Sequence, residues 1–237
     1  MISVCIATFN GQQFIKEQIE SILPQLGIDD EIVLSDDGST DSTVEIINSI
    51  ADHRIHLYIN SKRHGFVGNF ENGLRNCKGD YIFLCDQDDV WNSNKVETVL
   101  RYLNKYDLVV HDADIVNEEL QSSGKNYYST LHHSEKFTVN LYKTRFLGCC
   151  MAFNRKVLDE IMPIPKNITG HDYWIGMYSL LHFNVYFSPE ILIKYRRHGN
   201  NASTSSEKSS NTLFYKLITK RAFLLYNLFT RFLSKGK

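Results

Sequence analysis

Tyr81-Ile82-Phe83-Leu84-Cys85-Asp86-Gln87-Asp88-Asp89 is the stretch that decides the fold. The first five residues form an apolar run rich in strand formers and read as a buried strand. That run ends on three carboxylates within four positions. Carboxylates crowded at a strand end repel one another unless a cation or hydrogen-bond donors compensate. A divalent metal shared with substrate phosphates would do so, since Mg²⁺ and Mn²⁺ take hard oxygen ligands and keep open positions. The competing reading is an acidic cap on the helix that follows, favoured by its macrodipole.

Outward from this stretch, strand and helix alternate. Residues 2–7 form a short β-branched run that stops at Asn10-Gly11. Phe14, Ile15, Ile19, Ile22, Leu23 and Leu26 then recur at helical spacing. Residues 31–35 and 55–59 read as strands, and residues 42–51, 68–77 and 94–104 as helices. This order predicts a mixed, mostly parallel α/β sheet flanked by helices, with ligands beyond the carboxyl ends of the strands. In the second half, residues 107–111, 148–153 and 191–195 read as strands and 155–161 and 172–181 as helices. Residues 117–145 show no clear period.

The chain has 237 residues, 43% hydrophobic and 22% charged, which is enough for a real core and too apolar for disorder. Its 26 basic and 27 acidic residues give a net charge of -1 and no electrostatic case for nonspecific nucleic-acid binding. The last 25 residues carry six basic and no acidic side chains, leaving residues 1–212 at a net of -7. Cys5, Cys77, Cys85, Cys149 and Cys150 are odd in number and lack Cys-x-x-Cys spacing, so a reducing cytoplasm fits better than a disulfide framework or a zinc site. No signal peptide or membrane span is legible, and the Asn-x-Ser/Thr sites at Asn167 and Asn201 read as chance occurrences.

A second acidic turn, Asp36-Asp37-Gly38-Ser39-Thr40-Asp41, again follows a strand and precedes a helix. Asp41 can cap that helix and Gly38 can supply the turn. Asp36 is left to accept from a base N–H or a ribose hydroxyl, with Thr8 and Asn10 lining the same crevice. No Gly-x-Gly-x-x-Gly or Gly-Lys-Ser/Thr loop exists, which removes support for a Rossmann dehydrogenase or a P-loop phosphotransferase. Asp112-Ala113-Asp114 repeats the Asp-x-Asp spelling, but a single metal pair suffices and this one is read as structural. Trp91 and Trp174 are read as core residues.

Taken in order, Thr8-Phe9-Asn10, the turn at 36–41, Gly79-Asp80-Tyr81 and Asp86-Gln87-Asp88-Asp89 resemble a family 2 glycosyltransferase of the GT-A fold over about residues 1–200. The resemblance implies sugar transfer with inversion from a nucleotide donor, using Mn²⁺ or Mg²⁺ at the Asp-x-Asp motif. It places Asp86 and Asp88 on metal and donor, and Asp36 on the base. It also points to Asp172, in Gly170-His171-Asp172-Tyr173-Trp174, as the catalytic base, although His171 stands where an acidic residue is more usual. The late Tyr195-Arg196-Arg197-His198 is similar to a stretch in related transferases, making His198 a metal or diphosphate ligand and Arg196 and Arg197 cations for phosphate oxygens. Gly148-Cys149-Cys150 would neighbour the acceptor.

The implied activity is transfer from a UDP- or dTDP-sugar to a glycan acceptor on a lipid carrier, in bacterial surface polysaccharide synthesis of a rhamnosyltransferase-like kind. Two alternatives stand beside it. A sugar-nucleotide pyrophosphorylase would need a Gly-rich basic loop that residues 8–12 lack, and a noncatalytic scaffold would have no use for Asp86, Asp88 and Asp172 together. The expected organisation is a catalytic domain over 1–200, a linker over 201–212 and a basic amphipathic helix over 213–237. On that helix Lys216, Lys220, Asn227 and Arg231 share one face, Leu217, Leu224, Leu225, Leu228 and Phe232 the other, and Arg221 intrudes on the apolar side. Such a helix can lie in an anionic membrane interface or dock on its own domain or on a second subunit. Oligomeric state is not legible.

Overall fold

β1 (Ile2–Thr8) runs through the middle of the sheet and is buried on both faces, which is why its sequence is a continuous apolar run. The computed structural model describes residues 1–199 and 213–235. β1 pairs in parallel with β2 (Glu31–Asp36) and β4 (Tyr81–Asp86), and β3 (Ile55–Ile59) continues the parallel set beyond β2. The connecting helices are α1 (Ile15–Ile22), with a 3₁₀ turn at Leu23–Gln25, α2 (Thr43–Ser49) and α3 (Phe66–Asn76). Ile15, Ile19 and Ile22 of α1 are fully buried, each removal from water stabilising by roughly 1.5–3 kcal/mol.

β5 (Val90–Trp91) and α4 (Lys95–Leu103) follow the acidic turn. The sheet is completed by β6 (Leu108–Val116), β7 (Ser122–Asn126), β8 (Met151–Asn154) and β9 (Val185–Arg196). Its order is β3-β2-β1-β4-β8-β6-β9-β5, with β7 added on β6. β8 lies antiparallel to β4 and β6, while β9 lies parallel to β6 and antiparallel to β5. The last pairing matters for function, because it brings the end of β9 onto the turn that follows β4.

The unassigned region forms β7 and two short helices, α5 (Tyr127–Thr130) and α6 (Phe137–Tyr142). Residues 148–150, read above as strand, are a 3₁₀ turn, and only Met151–Asn154 extend the sheet. β9 is also longer than the sequence suggests, beginning at Val185. α7 (Arg155–Ile161) and α8 (His171–His182) cover the second half, with Trp174 fully buried and its Nε1 donating to the Ile161 carbonyl at 2.9 Å. Trp91, also a core residue, is 4% exposed.

α9 (Leu213–Lys235) docks on this body through Leu224 and Leu228, both buried. Two arginines fasten it, each at the end of another helix. Arg231 donates to the carbonyls of Glu160, Met162 and Pro163 at 2.6–2.8 Å, past the end of α7. Arg221 donates to the carbonyls of Leu141 and Tyr142 at the end of α6. Exposed carbonyls at helix ends hold partial negative charge, so cations suit them. The helical-wheel expectation is corrected at two positions, Arg231, which turns towards the body, and Leu225, which is 43% exposed, while Arg221 lies on the apolar side as read. The expected linker at 201–212 lies outside the described residues.

Candidate active site

The register of three parallel strands sets the site. Thr8 stands opposite Asp36, and Ala7 opposite Asp86, so the turns after β1, β2 and β4 meet along one edge. Asp86 is partly exposed at the mouth, while Asp88 and Asp89 are buried. Burial, followed by the charges of Asp88 and Asp172, pushes the Asp86 carboxyl up to about 7. Asp89 is likewise raised by burial and then by Asp88 and Asp86.

β9 delivers the counterparts. His198 Nε2 lies 2.8 Å from Asp88 Oδ2, and its ring packs against Phe14 with centroids 4.9 Å apart. The Arg196 backbone amide donates to Asp89 Oδ1 at 3.0 Å and its Nε to the Asp88 carbonyl at 2.8 Å. The rest of the Arg196 guanidinium reaches the Glu118 carbonyl and the Glu17 carboxylate. This side chain, 4% exposed, therefore braces the acidic turn. The Arg197 guanidinium lies by Tyr195, 5.8 Å from the ring centroid, and its backbone amide donates to the Val116 carbonyl.

The turn after β2 holds the carboxylate expected on the base. The Asp36 carboxylate is 1% exposed and accepts from the amides of Gly38 and Ser39 and from Ser39 Oγ, so it holds its own turn together. The more accessible carboxylate is Asp37, which takes the Asn60 amide group, the Gly65 N–H and His64 Nδ1 at 2.7–2.9 Å. Asn10 is left-handed at φ 48° and stitches the first turn to the second, its N–H donating to Ser39 Oγ and its Oδ1 accepting from the Thr40 N–H. The buried Thr8 Oγ1 has no hydrogen-bond partner among the described residues.

Asp172 enters from α8. Burial pushes its carboxyl up to about 6, near the range in which a base both accepts a proton and stays largely ionised. Its charge is felt by Asp86. His171 beside it is buried, stacked on Phe70 with centroids 3.8 Å apart, and neither ring nitrogen has a partner among the described residues. Burial drives this imidazole down to about 3, so it is neutral.

Several participants escaped the sequence reading. The Gln87 side chain accepts from the Phe9 N–H at 2.9 Å and donates to the Phe9 carbonyl at 3.1 Å, clamping the acidic turn to the first turn. A Cβ at Gly11 would stand 2.4 Å from Gln87 Oε1, so this clamp requires glycine there. Cys149, expected beside the acceptor, brings a ligand atom within 4.8 Å of those of Asp86 and Asp89. Lys95 is buried, donates to the Cys149 carbonyl at 2.9 Å and lies 4.0 Å over the Trp91 ring. A lysine in the first turn of a helix looks like a surface residue, and only the fold shows it buried beside the acidic cluster. Asp112, in contrast, accepts from Ala113, Asn126 and Tyr128 and is structural, as read.

The donor set fits a divalent cation. Asp88 and His198 present an oxygen and a nitrogen to one another at 2.8 Å, and the buried Asp89 Oδ2 lacks a hydrogen-bond partner among the described residues. Carboxylates with one imidazole suit Mn²⁺ well and Mg²⁺ acceptably.

Comparison with known proteins agrees with this architecture. TarS of S. aureus, solved in complex with UDP-GlcNAc, superposes with a TM-score of 0.72 at 18% identity, covering 95% of this chain and 66% of that one. A mannosyltransferase from Pyrobaculum calidifontis, solved with GDP-Man and Mn²⁺, superposes with a TM-score of 0.61 at 18% identity over 100% of this chain and 65% of its own. The fold is thus that of the GT-A glycosyltransferases. In sequence, an uncharacterized glycosyltransferase of Rickettsia prowazekii is 28% identical over 95% of this chain and 74% of its own length. The glycosyl transferase family 2 model matches residues 3–162, and the chain belongs to that family.

Proposed function

We propose that this glycosyltransferase is metal-dependent and inverting, and moves a hexosyl or rhamnosyl-type sugar from a UDP- or dTDP-sugar to a glycan acceptor on a lipid carrier in bacterial surface polysaccharide synthesis. The observation that carries the reading is the meeting of His198 with Asp88 at 2.8 Å in the turn that follows Asp86, whose carboxyl feels the charges of Asp88 and Asp172. The nucleotide base belongs at the 36–41 turn, where Asp36 fixes the loop and Asp37 is reachable. Asp86, Asp88 and His198 would hold Mn²⁺ or Mg²⁺, which when bound neutralises charge developing on the departing diphosphate. Asp172 accepts the proton of the acceptor hydroxyl as its oxygen bonds to the anomeric carbon. The bond from that carbon to the diphosphate oxygen breaks, and the diphosphate leaves with the electron pair. Attack from the side opposite the leaving group inverts the carbon.

A place on the inner face of the cell membrane is part of this reading. Phe223, Leu225, Tyr226, Phe229 and Leu233 are 39–65% exposed along α9, on a segment with no acidic residue. An apolar helix face of this kind suits an anionic lipid interface. Among the described residues no helix is long and apolar enough to cross a membrane.

The test is nucleotide-diphosphate release from UDP-, dTDP- and GDP-sugars with Mn²⁺, Mg²⁺ or EDTA, using a glycolipid extract as acceptor. Metal-dependent release from one donor, lost in Asp88→Ala, is expected. A folded protein that releases nothing and gains no thermal stability from nucleotide plus metal would be a scaffold instead.

A further inference from the structure

A cavity of about 290 Å³ includes Asp172 in its lining. Its walls come from three parts of the chain. Tyr142, Lys143 and Thr144 lie at the end of α6 and just beyond, Gly170 and Tyr173 flank Asp172 at the start of α8, and Lys220 and Arg221 come from α9. Three of these lining residues are cationic, and Asp172 is the one acid among them. Elsewhere the charge runs the other way, since residues 1–212 carry a net of -7.

We infer that this cavity seats a phosphate carried by the acceptor, held by Lys143 and Lys220. The assignment rests on the proposed role of Asp172 as the base. Three observations support it. First, Lys143 and Lys220 are exposed, and neither enters an ion pair among the described residues, so their charge is available to a ligand. Second, the juxtaposition is built. Arg221 donates to the carbonyls of Leu141 and Tyr142, which locks α9 against the end of α6 and fixes Lys220 and Lys143 on two walls of one cavity. Third, the cavity is at the small end for ligand sites, so it admits one sugar unit or a phosphate and not an oligosaccharide.

A neutral glycan would gain nothing from two lysines, whereas a phosphate near the Asp172 carboxylate would be repelled without them. Tyr142, 73% exposed at the rim, offers an aromatic surface to whatever adjoins the phosphate. The phosphate could belong to a lipid carrier or to the glycan itself. Both sources share the chemistry the lysines recognise.

The experiment is isothermal titration of the full chain with octyl phosphate, inorganic phosphate and octyl glucoside, each below any micelle-forming concentration. Octyl phosphate is expected to bind at least about tenfold more tightly than octyl glucoside, the equivalent of about 1.4 kcal/mol. The Lys143→Glu/Lys220→Glu double variant should lose that preference while unfolding at the same temperature. Inorganic phosphate binding as well as octyl phosphate would assign the group to the glycan, and weaker binding would assign it to a lipid carrier; either result supports the inference. Equal binding of octyl phosphate and octyl glucoside, or unchanged phosphate binding by the double variant, would overturn it. Thermal stabilisation by UDP or dTDP with Mn²⁺ is measured on the same samples. If nucleotide stabilises the chain and octyl phosphate does not bind, this inference fails while the transferase reading stands. If octyl phosphate binds and no nucleotide does, the transferase reading falls, and the acceptor assignment with it.

Discussion

The crevice has two walls of different construction. The β1–β2–β4 wall is made of turns that follow parallel strands, and each turn is tied to its neighbour by backbone amides and short polar side chains: Asn10 to Ser39 and Thr40, Gly11 to Thr43, Gln87 to Phe9. The opposite wall is assembled from α8, the end of α6 and α9, and its polar groups are less well satisfied. His171 has two unpartnered nitrogens among the described residues, and Asp172 is held in a setting that disfavours its charge. A rigid first wall suits a ligand of fixed shape such as a nucleotide. A second wall that keeps a carboxylate poorly solvated suits proton transfer, because a base of raised pKa takes a proton more readily.

The sharpest division between the walls is expected from Asp172→Asn. It should lower kcat by roughly 10²–10⁴-fold while nucleotide still stabilises the protein against heat, since only the base is removed. Loss of nucleotide binding in this variant would merge the two walls into one. Asp88→Asn should act on the other wall, lowering turnover by about 10²–10³-fold and abolishing the extra thermal stabilisation that Mn²⁺ adds to nucleotide. Retention of that increment would remove Asp88 from the metal site.

Smaller effects concern stability. Gly11→Val pushes a side chain into Gln87 and should cost about 1–3 kcal/mol in urea unfolding, with a larger loss if the clamp opens. Without metal, the Asp172 carboxyl is raised in the folded state above its unfolded value of 3.8, so its ionisation disfavours folding. Asp172→Asn should therefore be more stable than the parent by an amount that grows as pH rises from about 4 to about 6 and then levels off, on the order of 2 kcal/mol. A stability gap that stays flat with pH would show that the carboxylate is well solvated. The smallest change is expected from Tyr226→Ser with Phe229→Ser on the outer face of α9, within about 0.5 kcal/mol of the parent in stability. The same pair should reduce flotation with anionic vesicles.

How far the residues could be read without coordinates differs along the chain. Where a short apolar run ends on a polar turn, as at Ile2–Thr8, Glu31–Asp36 and Tyr81–Asp86, local pattern is enough, because burial on both faces of a central strand favours apolar residues and admits polar ones such as Ser3 and Ser35 only with hydrogen-bond partners. The acidic turns were visible for the same reason. Residues 117–145 were not, since β7, α5 and α6 are short and are held by distant elements, β7 and α5 by β6 and α6 by α8, rather than by any period of their own.

The amino-acid sequence by itself determined the alternation of strands and helices, the family resemblance and the three acidic segments, all properties of residues close together in the chain. Only the tertiary structure decided which carboxylate is reachable and which side of α9 is covered. Asp36 and Asp37 are adjacent and chemically alike, but Asp36 is buried and held by donors of its own turn, whereas Asp37 is more exposed and is held by Asn60, His64 and Gly65 from a distant loop. Arg196 and His198 are two residues apart, yet one braces the acidic turn and the other faces its carboxylate. α9 is apolar on more than one side, and the carbonyls at the ends of α6 and α7 choose its orientation by binding Arg221 and Arg231. Availability of a polar group depends on donors and acceptors brought from distant segments, and that is information no local pattern contains.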